Sequence, residues 1–341
     1  MLQQLLTPKD AVAWLRTRVG GVLRTDSRLV QPGDGFLAWP GAAVDARAHV
    51  AAALAAGAAA CLVELDGAQA YAFRDARVAA YQGLKADSGP IADVWFGHPS
   101  QRLSVLAVTG TNGKTSSTWW LAQALSNLAS SEAMPCGVVG TLGVGVPPQL
   151  VSTGLTTPDP VALQAAFADF LNQGLRACAI EASSIGIVEQ RMAGTPVRVA
   201  QFTNFTRDHL DYHGSMEAYW QAKAELFRWP GLQAAVINAD DLQGVTLVGD
   251  LHDAHSGVAV WTYSTEGKVL GAHPALHAKH IAYAAHGAPN DVRYGLCFEV
   301  SEHRAGQTVG EACSVNTGLT PQSAGAPLGP ARCQHMPLPC C

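Results

Sequence analysis

Charge is scarce in this chain. Asp, Glu, Lys and Arg together make up 14% of its 341 residues, and 22 basic against 27 acidic side chains leave a formal net charge of −5. Without a basic surplus there is no electrostatic footprint for a phosphodiester backbone, so the composition points to small-molecule ligands and away from nucleic acid. Long apolar runs are also missing. None reaches 18 residues, and the opening M-L-Q-Q-L-L-T-P-K-D has no basic region ahead of an apolar core, so the expectation is a cytoplasmic protein with neither membrane span nor signal peptide. The eight cysteines, at 61, 136, 178, 297, 313, 333, 340 and 341, include no C-x-x-C and no spacing that suggests zinc. The first four read as buried reduced thiols. Apolar side chains, by contrast, are plentiful at 48%, enough for sizeable cores and against disorder. At about 150 residues per domain, the length gives two domains and a remainder.

The stretch Val105–Ser117 is the most informative. Val105, Leu106, Ala107 and Val108 read as a buried strand of a parallel sheet, and a helical pattern begins near Thr115. Between them runs G-T-N-G-K-T, residues Gly110, Thr111, Asn112, Gly113, Lys114 and Thr115, followed by Ser116. Strand, glycine loop and helix N-terminus together form a phosphate cradle: backbone N–H groups close on phosphate oxygens, Lys114 adds a point charge and the Thr115 hydroxyl reaches a Mg²⁺. The full pattern G-x-x-x-x-G-K-[ST] would place glycine where Val108 stands, so the loop is a shortened form. A glycine-rich turn capping an ordinary helix is the plainer alternative; agreement of loop, lysine, hydroxyl and flanking elements favours a nucleoside triphosphate.

Elsewhere the chain reads as α/β. Residues 7–18 carry a helical pattern opened by Thr7-Pro8; Leu23–Arg28, Gly33–Trp39 and Ala60–Glu64 read as strands, and Ala46–Ala56 as an alanine-rich helix stopped by Gly57. Phe96–Ser100 punctuates a linker, giving a small amino-terminal α/β domain over 1–104. The second domain, 105–320, is a P-loop-type domain with a mostly parallel sheet flanked by helices: helix 115–129, strand Cys136–Gly140, helix 160–172, strand Ala177–Ile180, helix 216–228 and strand Ala234–Asn238. Segments Val258–Tyr263, Leu276–Tyr283 and Val292–Val300 read as antiparallel strands on the sheet's edge, and Val315–Leu319 as a last strand. Glu181, at the carboxyl end of its strand, is placed either to share a Mg²⁺ with Thr115 or to cap the next turn. Thr156 and Thr157 either donate to a phosphate or sugar or belong to the start of the helix at 160. The loop Asp208-His209-Leu210-Asp211-Tyr212-His213 holds more ligand-type side chains than a structural loop requires, although His213 by itself reads as solvated, and Lys223 as a solvent-reaching charge on a helix.

Several of these segments resemble the Mur ligases, and among them most nearly the tripeptide-forming E-type members. G-T-N-G-K-T with its internal Asn112 is similar to the ATP loop of Mur ligases and folylpolyglutamate synthetases; T-D-S-R-L-V-Q-P-G-D-G-F, D-A-R and G-A-A-A-C-L-V-E resemble the Mur amino-terminal domain; T-T-P, E-A-S-S, F-T-N-F-T-R-D-H-L-D-Y-H-G and N-A-D-D resemble the central one. The resemblance implies ATP and Mg²⁺ as cofactors, a UDP-N-acetylmuramoyl dipeptide and a diamino acid as substrates, a monomer, and an acyl-phosphate route to an amide. It also implies roles. Ser27, with Thr25, Asp26, Arg28 and the loop Ala42–Val44, would contact the uridine nucleotide, and Thr156, Thr157, Ser183, Glu189 and Arg191 the sugar peptide. Thr115, Glu181, His209 and a carboxylated Lys223 would surround the metal, with Lys114 on the phosphates. Departures are local: Gly35 stands where an apolar residue is usual, Ala46 where glycine is, Ile185 where a histidine follows the two serines, and Glu189 where many members have Gln. A folylpolyglutamate synthetase would have the loop but not the UDP-sugar domain, and a binding module without turnover would have both.

After Thr320 the chain runs P-Q-S-A-G-A-P-L-G-P-A-R-C-Q-H-M-P-L-P-C-C, with no helical or strand period. The resemblance stops there, so the expectation is a disordered or out-of-frame tail over 321–341, a missing third domain that would choose between diaminopimelate and lysine, and little or no turnover by this chain alone.

Overall fold

The computed structural model describes residues 2–41, 44–129, 131–254, 257–286, 293–304 and 307–316, with side chains at 280, 282–286, 293–298 and 307–316 left aside. The expectations for Ala42-Ala43, Thr317–Leu319, the tail from 321 and the side chain of Cys297 lie outside these residues. The chain forms two compact units. The first comprises Met1–Leu103, Thr157–Gly174 and Gly186–Pro196; the second comprises Ser104–Thr156, Leu175–Ile185 and the chain from Val197 on.

In the first unit, helix α1 (Pro8–Arg16) starts at a reciprocal cap: Asp10 N–H donates to Thr7 Oγ1 and Thr7 N–H to Asp10 Oδ2, both at 3.1 Å. Five strands, β1 (Gln3–Leu5), β2 (Leu23–Arg24), β3 (Gly35–Ala38), β4 (Ala60–Glu64) and β5 (Val78–Tyr81), make an all-parallel sheet in the order β1-β5-β4-β3-β2. Alternation along the strands splits the core: Leu37, Leu62 and Tyr81 face one layer with Leu15 and Ile91, whereas Phe36, Cys61, Val63 and Ala80 face the other with Val50 and Ala53. Both layers are covered, as a parallel sheet requires.

Two expectations here change, and one helix is added. The strand Leu23–Arg28 ends at Arg24, because the Asp26 carboxylate accepts from Arg28 N–H and turns the chain into a 3₁₀ turn, Ser27–Leu29. The helix 46–56 begins as 3₁₀ (Ala46–His49) under the Asp45 cap and becomes α only over α2 (Val50–Ala55). A helix unforeseen in the breaker-rich G-L-K-A-D-S-G-P, α3 (Leu84–Trp95), carries Pro90 inside it. The linker Phe96–Ser100 is a tight corner into α4 (Pro99–Arg102), where Asp93 accepts from Ser100 Oγ at 2.9 Å and contacts His98 Nδ1 at 2.6 Å. Helix Pro160–Asn172 has the expected bounds, with Asp159 capping Val161 N–H and Ala162 N–H.

The second unit is built on an eleven-stranded sheet of order β16-β15-β14-β13-β12-β11-β6-β10-β7-β8-β9, with β6 (Ser104–Thr109), β7 (Cys136–Gly140), β8 (Gly143–Val146), β9 (Gln149–Val151), β10 (Ala177–Glu181), β11 (Val199–Phe202), β12 (Ala234–Asn238), β13 (Ala259–Ser264), β14 (Ala275–His286), β15 (Arg293–Arg304) and β16 (Gln307–Asn316). From β7 to β14 by way of β6 the strands are parallel, and β6 lies between β10 and β11 where the strand order reverses, the place at which open α/β sheets hold ligands beyond their carboxyl ends. Helix α5 (Lys114–Ser126) covers one face, packing Ala122, Leu121 and Leu125 on Cys136, Val138, Ala177 and Ala179. The α/β class read from the sequence therefore stands. The edge differs: β13 and β14 extend the parallel run, and only β15 and β16 are antiparallel there, while β8 and β9 form an antiparallel hairpin at the other edge. Among the described residues no helix is long and apolar enough to cross a membrane.

Candidate active site

The phosphate loop is held from below by the segment after β11. Thr111 N–H donates to the Asn204 carbonyl at 2.8 Å, Asn112 N–H to Asn204 Oδ1 at 2.9 Å, and Thr203 Oγ1 to the Asn112 carbonyl at 2.7 Å. Thr111 Oγ1 adds bonds to the Thr206 carbonyl and from Thr206 N–H at 3.1 and 2.9 Å. Gly110 (φ +141°) has no room for a side chain, since a Cβ would stand 1.9 Å from Thr203 Oγ1, and Gly113 (φ +86°) is the left-handed residue from which α5 starts. In this conformation Lys114 Nζ is folded back on its own loop, donating to the carbonyls of Gly110 and Thr111, both at 2.9 Å. Burial draws its ammonium below the usual lysine value, opposed by the charges of Glu181 and Asp208.

Above the loop lies a cavity of about 250 Å³ lined by Thr111–Thr115, Thr141, Thr156, Glu181, Ser183, Ser184, His209 and Lys223. Glu181 is its anchor. Pairing in register with Val108 of β6, it accepts from Thr115 Oγ1 at 3.0 Å, Thr141 N–H at 2.8 Å and Thr141 Oγ1 at 3.2 Å. A hydroxyl and a carboxylate so placed are hard oxygen donors of the kind Mg²⁺ uses when phosphates and water complete its shell, so these two residues fit that cation.

Lys223 is the least ordinary residue. Its side chain is buried at 1% exposure, with Nζ donating to the Gly110 carbonyl at 2.8 Å and lying 4.3 Å from the Tyr219 ring centroid. Burial, with the Lys114 charge adding to it, pulls its pKa from 10.5 down to about 7. Because the unfolded chain binds more protons across that interval, stability should rise with pH from about 7 to 10.5 and show no such slope below it. In CO₂-free buffer Lys223→Met removes this contribution, so its gain in melting temperature over the parent should be largest near neutrality and shrink towards pH 10. Parallel profiles for the two chains would contradict the burial account.

His209 (φ +49°) reaches the same cavity, with its ring edge-on to Tyr219 at 5.9 Å. His213, read from sequence as solvated, is half-buried: its Nε2 lies 3.0 Å from Ser184 Oγ and its ring 5.1 Å from Tyr219, and desolvation lowers its pKa.

These features have parallels in known proteins. The family model of the Mur ligase middle domain matches residues 108–307. The chain belongs to the Mur ligase family. The UDP-N-acetylmuramoyl-L-alanyl-D-glutamate–2,6-diaminopimelate ligase of an Acidovorax species is 59% identical over 303 residues, covering 88% of this chain and 59% of that protein. The enzyme of the same name from Pseudomonas aeruginosa is 50% identical over 232 residues, covering 68% of this chain and 47% of its own. A solved structure of such a ligase superposes with a TM-score of 0.64 at 29% identity, covering 87% of this chain and 55% of that one. The chain thus spans about half the length of the relatives it matches.

Within this Mur ligase chain, the residues singled out from sequence divide between the two units. Thr111 to Thr115, Thr156, Glu181, Ser183, His209 and Lys223 line one cavity, Gly110 supplies the carbonyl shared by two lysines, and Ser116 is exposed in the first turn of α5. Ser27, Thr157, Glu189 and Arg191 belong to the first unit, where Arg191 Nη1 donates to the Thr157 carbonyl at 3.0 Å and Glu189 pairs with Lys85 Nζ at 2.9 Å. Asp26 and Arg28 are engaged with each other at 2.6 Å, and that partner is the main reason the Asp26 carboxyl sits below its usual value. Sequence reasoning missed Thr203 and Asn204, which hold the loop, and Thr141; the only signal for the first two was their place inside F-T-N-F-T.

Proposed function

We propose that the chain carries the nucleotide-activating part of an ATP-dependent amide ligase of peptidoglycan precursor synthesis, one that joins 2,6-diaminopimelate to UDP-N-acetylmuramoyl-L-alanyl-D-glutamate. The observation that supports it best is the convergence of Lys114, Thr115, Glu181 and Lys223 on one cavity at the carboxyl ends of β6 and β10; the names of the close relatives supply the substrates. In this reading the loop N–H groups and Lys114 hold the β- and γ-phosphates, with Lys114 exchanging two loop carbonyls for phosphate oxygens. Thr115 and Glu181, with His209 and Lys223, would hold Mg²⁺, which when bound neutralises charge on the transferring phosphoryl group. A carboxylate oxygen of the dipeptide takes the γ-phosphoryl group and ADP leaves; the amine nitrogen of the diamino acid then attacks the acyl carbon, phosphate departs and the amine loses a proton. Lys223 in its neutral form is the nucleophile that CO₂ requires, its nitrogen gaining a carboxylate and releasing one proton. Thr156 and Ser183, and in the first unit Ser27, Thr157, Glu189 and Arg191, are assigned to the UDP-sugar peptide.

Calorimetry tests this on the chain itself. A non-hydrolysable ATP analogue should bind in the presence of Mg²⁺, and UDP-N-acetylmuramoyl-L-alanyl-D-glutamate should bind separately. Failure of the analogue to bind with Mg²⁺ present overturns the reading.

A further inference from the structure

We propose that Thr141 is a positioning residue that couples the nucleotide seat to the acceptor-substrate seat through a single hydroxyl; the inference rests on the ligase reading above. Thr141 follows β7 directly, at the edge of the cavity. Its backbone N–H donates to Glu181 Oε1 at 2.8 Å, and its hydroxyl lies 3.2 Å from Glu181 Oε2 and 3.1 Å from Thr156 Oγ1. The preceding residue shows how closely the backbone is fitted to this carboxylate. A Cβ on Gly140 would stand 2.2 Å from Glu181 Oε1, 2.8 Å from Cδ and 2.9 Å from Cγ, so only glycine lets the carboxylate reach the Thr141 N–H.

A hydroxyl has one proton to give and lone pairs to accept with. The arrangement that satisfies both of its neighbours has Thr141 donating to Glu181 Oε2 and accepting from Thr156 Oγ1. Glu181 Oε2 also accepts from Thr115 Oγ1 at 3.0 Å, on the first turn of α5. One carboxylate oxygen is therefore shared by the helix that carries the phosphate loop and by a hydroxyl bonded to the threonine assigned to the second substrate. A ligand acceptor that draws the Thr156 proton to itself releases Thr141 from one side, and a cation on Glu181 changes what Thr141 faces on the other. A cation that takes the Glu181 acceptor lets Thr141 donate to Thr156 Oγ1 instead, which leaves the Thr156 proton for a ligand acceptor; each ligand thereby tightens the other, by the same factor in both directions. Nothing in this arrangement depends on a change in backbone conformation.

The test is the affinity of the chain for the Mg²⁺ complex of the non-hydrolysable ATP analogue, measured by calorimetry with and without saturating UDP-N-acetylmuramoyl-L-alanyl-D-glutamate. The parent should show tightening of about tenfold, the scale of one hydrogen bond to a charged group. Thr141→Ser, which keeps the hydroxyl, should retain it. Thr141→Val, which keeps the shape and the backbone N–H, should bring the ratio to within about twofold of unity, and Thr156→Val, which cuts the same link from its other end, should do likewise. The proposal is overturned if the parent binds both ligands without tightening, if Thr141→Val keeps the parent's ratio, or if Thr141→Ser loses as much as Thr141→Val, since that last result would assign the effect to packing. A parent chain that binds neither ligand brings down the ligase reading itself and this inference with it.

Discussion

Lys114→Ala should abolish Mg²⁺-dependent nucleotide binding while leaving the fold intact. The side chain's present bonds are two, from its ammonium to uncharged carbonyls of its own loop, those of Gly110 and Thr111, both at 2.9 Å. The loop does not depend on them, because Thr203, Asn204 and Thr206 hold it through bonds that the substitution leaves alone. The melting temperature should therefore move little. Affinity should fall by about 100-fold or more, since a partly buried ammonium facing two phosphates makes charge-assisted bonds worth about 1.5–3 kcal/mol each and alanine leaves those phosphate charges unmatched. An unchanged dissociation constant for the analogue would remove Lys114 from the phosphate site.

The second large effect belongs to the first unit. Gly89→Val should lower its melting temperature by about 10 °C, following a loss of about 3 kcal/mol or more. A Cβ at Gly89 would meet the Ala193 carbonyl at 1.9 Å and its carbon at 2.6 Å, and one at Gly194 would meet Pro90 N at 2.7 Å. Backbone rests on backbone where α3 crosses this turn, and no flexible side-chain end is available to give way. The same crossing sets the stretch that carries Glu189 and Arg191, so binding of the UDP-sugar peptide should be lost along with stability. Gly20→Ala is the control, for nothing stands within 4 Å of a Cβ there. A Gly89→Val chain melting with the parent would show that the helix shifts at no cost.

Local text carried much of this structure. The runs Cys136–Gly140 and Ala234–Asn238 fall on β7 and β12 residue for residue, because each is a short, mainly apolar run bounded by turn residues; β7 is buried throughout, whereas β12 buries alternate residues. Thr7-Pro8 announces α1 by its cap, and D-P-V announces helix Pro160–Asn172 in the same way. What stayed hidden depends on partners far along the chain. Helix α3 looks broken at Gly89-Pro90 until residues 193–194 are seen to need that bare backbone. His213 looks solvated until Ser184, twenty-nine residues earlier, is found beside it. Strands β13 and β14 read as antiparallel strands on the sheet's edge, and only the pairing of β13 with β12 and of β14 with β13 shows that they continue the parallel run. In the site, the loop and Glu181 were legible because their chemistry is written in adjacent residues; the threonines and asparagine that hold them were not, since Thr and Asn at strand ends are common for many reasons.

The first unit is not one stretch of sequence. The chain leaves it after Leu103, comes back for Thr157–Gly174, leaves again and returns for Gly186–Pro196. A ribosome delivers residues in order, so this unit cannot be finished when its sheet has been made; it waits for Val161, which completes its core beside Leu15 and Ile91, and then for the turn at Gly194 on which α3 rests. At about 5–20 residues per second the wait from Leu103 to Pro196 is on the order of 10 s. Strands β6, β7 and β10 emerge during that interval, so the nucleotide sheet begins to assemble before the older unit has closed. For those seconds the part of this core that Val161 covers stays open to water.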